Sequence, residues 1–148
     1  MEIMPFKPEH LNGLDWQSLT EGSMLGAMPE GWRRGALARA AAGWAFSGFE
    51  QGQWLGAAGL LPWWPGVAEA WLLLAPAGRK VPLAAVRALK KGLETLIQTM
   101  RVHRLQASVR ADFGQARKMA EVLGFHEESR MAKYGPDGAD YLRYVRLT

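Results

Sequence analysis

Glu69 is flanked by Trp63, Trp64 and Trp71, and Arg79-Lys80 stand just ahead of Pro82, where a long amphipathic pattern begins. A carboxylate among indoles is desolvated, which raises its pKa and suits it to general-base work. Basic residues ahead of a helix N-terminus suit a phosphate, because outward-pointing backbone N–H groups and the helix dipole both favour an anion. Each feature also has a plainer reading: Glu69 as a strand-edge surface carboxylate beside a turn, and Arg79 and Lys80 as turn surface. Other chemistry is poorly supplied. There is no cysteine, which excludes disulfides, thiolate metal sites and a cysteine nucleophile. His10, His103 and His126 are isolated from partners, and no His/Asp/Glu group has metal-ligand spacing. Ser18, Ser23, Ser47, Ser108 and Ser129 lack an elbow or triad context. Tyr134 and Tyr141 could serve as acids, but both fall in strand patterns where a core or rim tyrosine is commoner.

The elements that would position these groups follow from patterning. Glu2 to Phe6 reads as a first strand, Pro8 to Trp16 as a helix behind it, and Glu21 to Gly35 as a glycine-rich loop. The alanine-rich run Arg33 to Ala42 predicts a second helix. Gly43 to Phe49 and Gln53 to Leu61 flank Glu50-Gln-Gly-Gln as a hairpin, Pro62-Trp-Trp-Pro-Gly66 is a second turn, and Ala68 to Leu74 is the central strand. Pro82 opens the clearest helix, with Leu83, Val86, Leu89, Leu93, Leu96, Ile97 and Met100 on one stripe. Arg104 to Val109 is a strand. Asp112 is the expected N-cap of a helix carrying Phe113, Ala116, Met119, Ala120 and Leu123, which Gly124 ends. Phe125 to Tyr134 and Asp140 to Leu147 are the last strands, joined by Gly135-Pro-Asp-Gly138.

The resulting order is β-α-α-β-β-β-α-β-α-β-β, an α/β chain with a mixed sheet and helices on both faces. The 148 residues, 49% of them hydrophobic, suffice for one packed domain spanning 1–148, with no internal repeat or linker. No apolar run is long enough for a membrane span, and the N-terminus, with an early acid and two prolines, is unlike a signal peptide. A cytoplasmic location is the expectation. A net charge of +4 is spread along the chain without aromatic-interleaved basic motifs, which argues against a nucleic-acid groove. Of the seven tryptophans, Trp44, Trp54 and Trp71 are expected in the core. Trp16, Trp32, Trp63 and Trp64 are expected in or near loops, lining an acceptor pocket or a protein interface.

Two strand–turn–helix stretches, Trp71 to Ala84 and Arg104 to Phe125, carry a resemblance to the GNAT superfamily of acyl-CoA-dependent N-acetyltransferases, which covers nearly the whole chain. In that family's cofactor turn, Arg79 matches the first position and Ala84 the last, while Pro82 replaces the middle glycine and has no N–H to donate. The resemblance implies that acetyl-CoA pairs through its pantetheine arm with the backbone of Leu72, Leu73 and Leu74. It also implies that the turn, with the amides of Lys80, Val81, Leu83 and Ala84 and the charges of Arg79 and Lys80, holds the pyrophosphate in a weakened cradle. Arg104-Leu105, Ala116 and Gly124-Phe125 match the second motif. Phe113 stands at the position of the family's asparagine, and Ala120 at that of its tyrosine acid.

Glu69 lies where some members carry a catalytic glutamate, which makes it the expected base. The implied function is acetyl transfer to a small-molecule or peptide amine, with degenerate catalytic positions. The Glu69-Ala-Trp71 run, the altered turn and Tyr134-Gly-Pro-Asp-Gly138 are also similar to small, divergent GNAT-like proteins of tailed bacteriophages. That similarity implies the rival reading: a non-catalytic virion or accessory protein with a protein partner, found in a host cytoplasm or a virion. A third class, a nucleic-acid-binding accessory protein, would use the basic helix faces.

Overall fold

Strands β1 (Glu2–Pro5), β2 (Ala45–Glu50), β3 (Gln53–Trp64), β4 (Val67–Leu74), β5 (Arg104–Arg110), β6 (His126–Met131) and β7 (Tyr141–Leu147) form one mixed sheet in the computed structural model. Their spatial order is β1-β2-β3-β4-β5-β7-β6. The structure describes residues 1–12, 32–74 and 81–148. A 3₁₀ turn (Pro8–Leu11) and helices α1 (Trp32–Ala41), α2 (Leu83–Met100) and α3 (Gly114–Val122) complete the described elements. The mixed α/β class is that predicted, and so is the order of the described elements apart from the first predicted helix.

β4 pairs with β5 in parallel, and every other strand pair is antiparallel. The parallel pair requires a crossover, and α2 supplies it. Along β4 the side chains alternate between faces. Ala68 and Ala70 pack into a core with Leu60, Leu93, Ile97, Leu105, Val109, Ala120 and Tyr144, on the face that carries α2 and α3. Trp71 and Leu73 pack with Phe6, Leu11, Ala36, Ala45 and Ala57, on the opposite face beneath α1 and the 3₁₀ turn.

Several boundaries differ from expectation. The helix expected from Pro8 is a 3₁₀ turn ending at Leu11, and residues 13–16 of that prediction lie outside the described residues, as does most of the expected loop. β3 runs on to Trp64, so only Pro65 and Gly66 turn the chain, and Trp63 and Trp64 are exposed strand residues. The strand survives Pro62 because the register shifts between Pro62 and Trp64. Gly66, at φ 88°, is packed against the His103 ring, where a Cβ would collide. Asp112 does not cap α3: the N-cap is Phe113, and Asp112 Oδ1 accepts instead from Arg110 Nε at 2.8 Å. Leu83, expected on the buried stripe of α2, is 64% exposed at its first position.

Candidate functional site: a parted strand pair

The β4–β5 ladder has three rungs, Val67↔Arg104, Ala68↔Leu105 and Glu69↔Gln106. β4 continues five residues further to Leu74 and β5 four further to Arg110, so the strands part beyond Glu69. β4 remains paired to β3 on its other side through Gly56↔Leu74. Backbone groups of Ala70 to Leu74 directed away from β3 therefore have no strand partner among the described residues, and such groups seek hydrogen bonds.

Glu69 sits at the vertex, on the α1 face. Its Oε1 accepts from Ser108 Oγ at 3.3 Å. From α1, the Arg39 guanidinium lies 5.2 Å from the Trp71 ring centroid, and its Nη1 donates to Gly35 O at 3.2 Å. Burial pulls the Arg39 pKa below its ordinary value, opposed by the charge of Glu69. Arg39 Nε and Trp71 Nε1 are buried without a partner among the described residues. Trp63 and Trp64, expected to desolvate Glu69, point to solvent instead. Ser108, which lacks a triad context in the sequence, is the residue that donates to Glu69. The signal was spatial: β4 and β5 bring together residues 39 positions apart.

On the other face, Leu72 and Leu74 line a cleft of ≈ 420 Å³ beneath α2 and α3, together with Val81, Pro82, Phe113 and Met119. Ser108 also borders it, so the cleft reaches the hydrogen-bond partner of Glu69. Gln115, missed in the sequence, places an amide on its wall. Pro82 is the N-cap of α2, one residue before the helix, and its carbonyl accepts from the N–H groups of Ala85 (2.9 Å) and Val86 (3.2 Å). That leaves the N–H groups of Leu83 and Ala84 as the helix's outward donors. Leu73 turns its side chain into the opposite core, so only its backbone belongs to the parted edge. Arg79 and Lys80 lie outside the described residues. Ala120 is buried in the core, and Phe113 borders the cleft.

The other titratable groups form different arrangements. Ser47, fully buried, bridges Trp54 and His10: Trp54 Nε1 donates to its Oγ at 3.3 Å, and Oγ lies 2.9 Å from His10 Nδ1. Lys7 N–H also donates to Nδ1, at 3.2 Å, so Nδ1 is the acceptor and the hydroxyl donates to it. Burial lowers the His10 pKa, assisted by Lys7 and opposed by Glu9. Tyr141 is buried and stacks edge-on against Tyr134 at 5.6 Å, and burial raises its pKa. Neither tyrosine lines the cleft. Arg104, Arg110, Arg130 and Arg146 are paired with Glu128, Asp137, Asp140 and Glu94, so much of the positive charge of the C-terminal half is matched locally. Among the described residues, no three His, Asp or Glu side chains converge as a metal site, and no helix is long and apolar enough to cross a membrane.

No protein-family model matches the chain, and no curated protein matches it by sequence. Solved structures do. Ard1 from Thermoplasma volcanium superposes with a TM-score of 0.72 at 16% identity, covering 99% of this chain and 97% of that one. A GNAT-family acetyltransferase from Bacillus anthracis gives 0.71 at 16% identity, over 98% and 93%. The putative acetyltransferase yncA from Salmonella typhimurium, solved with its cofactor acetyl-CoA, gives 0.59 at 19% identity, over 80% and 72%. The chain has the fold of the GNAT acetyltransferases.

Proposed function

We propose that the chain is an acyl-CoA-dependent N-acetyltransferase that moves an acyl group from the CoA thioester to an amine. The observation that carries this reading is the parting of β4 from β5 directly beyond Glu69. An unpaired strand edge fits the amide-bearing pantetheine arm: the backbone of Leu72 to Leu74 offers it strand-like hydrogen bonds, and Gln115 offers a side-chain amide. The amides of Val81, Leu83 and Ala84, with Arg79 and Lys80, are assigned to the pyrophosphate, where the N-terminus of α2 adds its dipole. The acetyl-CoA-bound relative supports the same donor. Bound there, the thioester supplies an activated acyl group.

The chain's own residues then divide the remaining work. Glu69 takes the proton of the acceptor ammonium, as general base at the vertex. Ser108 holds Oε1 and leaves Oε2 to receive that proton. Alanine at position 120 cannot protonate the departing thiolate, so a thiol-protonating side chain is not part of this assignment. Glu69→Gln should lower the transfer rate to a panel of amines by about 10²–10⁴-fold while leaving acetyl-CoA affinity within about twofold. An unchanged rate would remove Glu69 as the base.

A non-catalytic interaction protein is the second reading. It is favoured by Trp63 and Trp64, 53% and 64% exposed on the β3–β4 hairpin, since exposed paired indoles suit a protein contact. The similarity to phage-encoded proteins belongs with this reading. Acetyl-CoA binding without transfer to any amine would favour it.

A further inference from the structure

One proton still lacks a carrier. The thiol of CoA departs as a thiolate that must gain a proton, and Ala120 has none to give. The cleft supplies few candidates. Among the described residues no charged side chain lines it, and the side chains there with a hydroxyl or an amide are Ser47, Ser108 and Gln115. The Ser47 hydroxyl is spent on His10 Nδ1, at 2.9 Å. The amide of Gln115 is too weak an acid to protonate a thiolate. Ser108 remains.

Ser108 stands where that proton is needed. The last β4–β5 rung is Glu69↔Gln106, and Ser108 lies two residues further along β5, about 6.6 Å beyond it. Its Oγ reaches back across the widening gap to donate to Glu69 Oε1 at 3.3 Å. A pantetheine arm laid between the parted strands brings its sulfur in from that open side, bonded directly to the carbonyl carbon that must meet the amine at Glu69. The sulfur therefore comes up against the hydroxyl, so that carboxylate and sulfur share one serine. The nearby cations are engaged elsewhere. Across β7, Arg143 is paired with Ser108 in the ladder, but its Nη2 donates to Met131 Sδ at 3.5 Å. From α1, Arg39 is the cation felt by Glu69, and its Nη1 donates to Gly35 O.

We propose that Ser108 is a catalytic residue that relays to the leaving thiolate the proton Glu69 takes from the acceptor ammonium. The proposal rests on the acyl-CoA reading above. Glu69 removes one proton from the ammonium, and the freed nitrogen lone pair forms the C–N bond at the carbonyl carbon. As the C–S bond breaks, its electron pair goes to sulfur. Ser108 Oγ gives its proton to that sulfur and takes the one held by Glu69, which a half-turn of the carboxyl group about Cγ–Cδ brings to Oγ. Glu69 is thereby a carboxylate again. The second ammonium proton leaves the new amide nitrogen for water, so the products are one amide, one thiol and one released proton. A serine hydroxyl is a weak acid, and it serves here because the proton it loses is replaced in the same step.

The experiment is an NMR pH titration of the full chain saturated with CoA labelled with carbon-13 at the carbon bonded to sulfur, whose chemical shift follows ionisation of the thiol. A hydroxyl that donates to sulfur favours the thiolate. In Ser108→Ala the bound thiol should therefore titrate about one pH unit higher than in the wild type. Ser108→Thr keeps the hydroxyl on a residue that suits a strand, and it should restore the wild-type titration. An unchanged thiol titration in Ser108→Ala, with CoA bound, would overturn the relay and leave the donor site standing. A shift in Ser108→Ala that Ser108→Thr fails to reverse would mark a packing effect and overturn the relay as well. Absence of CoA binding to the wild type would overturn the acyl-CoA reading and this proposal with it.

Discussion

Around one strand, β4, the two faces of the sheet are built from opposite materials. Ala70, Leu72 and Leu74 face a cleft walled by leucine, alanine and glycine. Glu69 and Trp71 face a carboxylate–hydroxyl–guanidinium group in which two buried donors, Arg39 Nε and Trp71 Nε1, have no partner among the described residues. The strand's period of two separates these environments within six residues, and the parted β4–β5 edge is the passage between them. A reaction that brings a thioester-bearing donor to a charged acceptor needs this division. In the proposed reaction, the apolar walls would exclude water from the donor and Glu69 would deprotonate the acceptor.

The apolar face is itself divided, and that division gives the largest expected effect. Leu105 is fully buried where the core is filled, whereas Leu72 is half-buried on the cleft wall. Leu105→Ala should cost about 2–5 kcal/mol in chemical denaturation. Leu72→Ala, at a site already bordering open volume, should cost under about 1.5 kcal/mol. Equal losses would mean that the cleft is packed core. On the polar face, Ser108→Ala should lower the turnover number about tenfold by freeing the carboxylate of Glu69, with little change in acyl-CoA affinity. A fall in acyl-CoA affinity alone would place Ser108 on the donor side.

A smaller effect concerns the tether under the 3₁₀ turn. The His10 pKa is lowered in the folded chain, so the unfolded chain binds the extra proton first. The contribution of His10 is fully present above the unfolded value, 6.5, and is lost as pH falls through the lowered folded value. Thermal melts should therefore decline below pH 6.5. Ser47→Ala, which removes the hydroxyl donated to Nδ1, should cost about 1 kcal/mol at neutral pH and should alter that decline. A melt independent of pH between neutrality and the carboxylate range would contradict the assigned tautomer.

The sequence made the fold legible where periodicity was long and unbroken. The α2 stripe, the Gly124 stop and the Arg104 strand all fall close to their observed places. Boundaries failed where local chemistry was ambiguous. Pro62 reads as a turn unless the bulge that accommodates it is known, and Asp112 reads as a cap unless its arginine partner is. The site was legible only in part. Glu69 is found at the vertex, but its neighbours Ser108 and Arg39 come from strand and helix packing over 30 or more positions, which no local pattern encodes.

The central claim is that the free edge of β4 binds the donor's amide arm, and amide hydrogen exchange with and without saturating acetyl-CoA tests it most directly. Slowed exchange in Leu72 to Leu74 and in Leu83 and Ala84, with His126–Met131 of β6 unchanged, is the predicted result. Ligand binding that leaves the Leu72 to Leu74 amides exchanging at their free rate would contradict it.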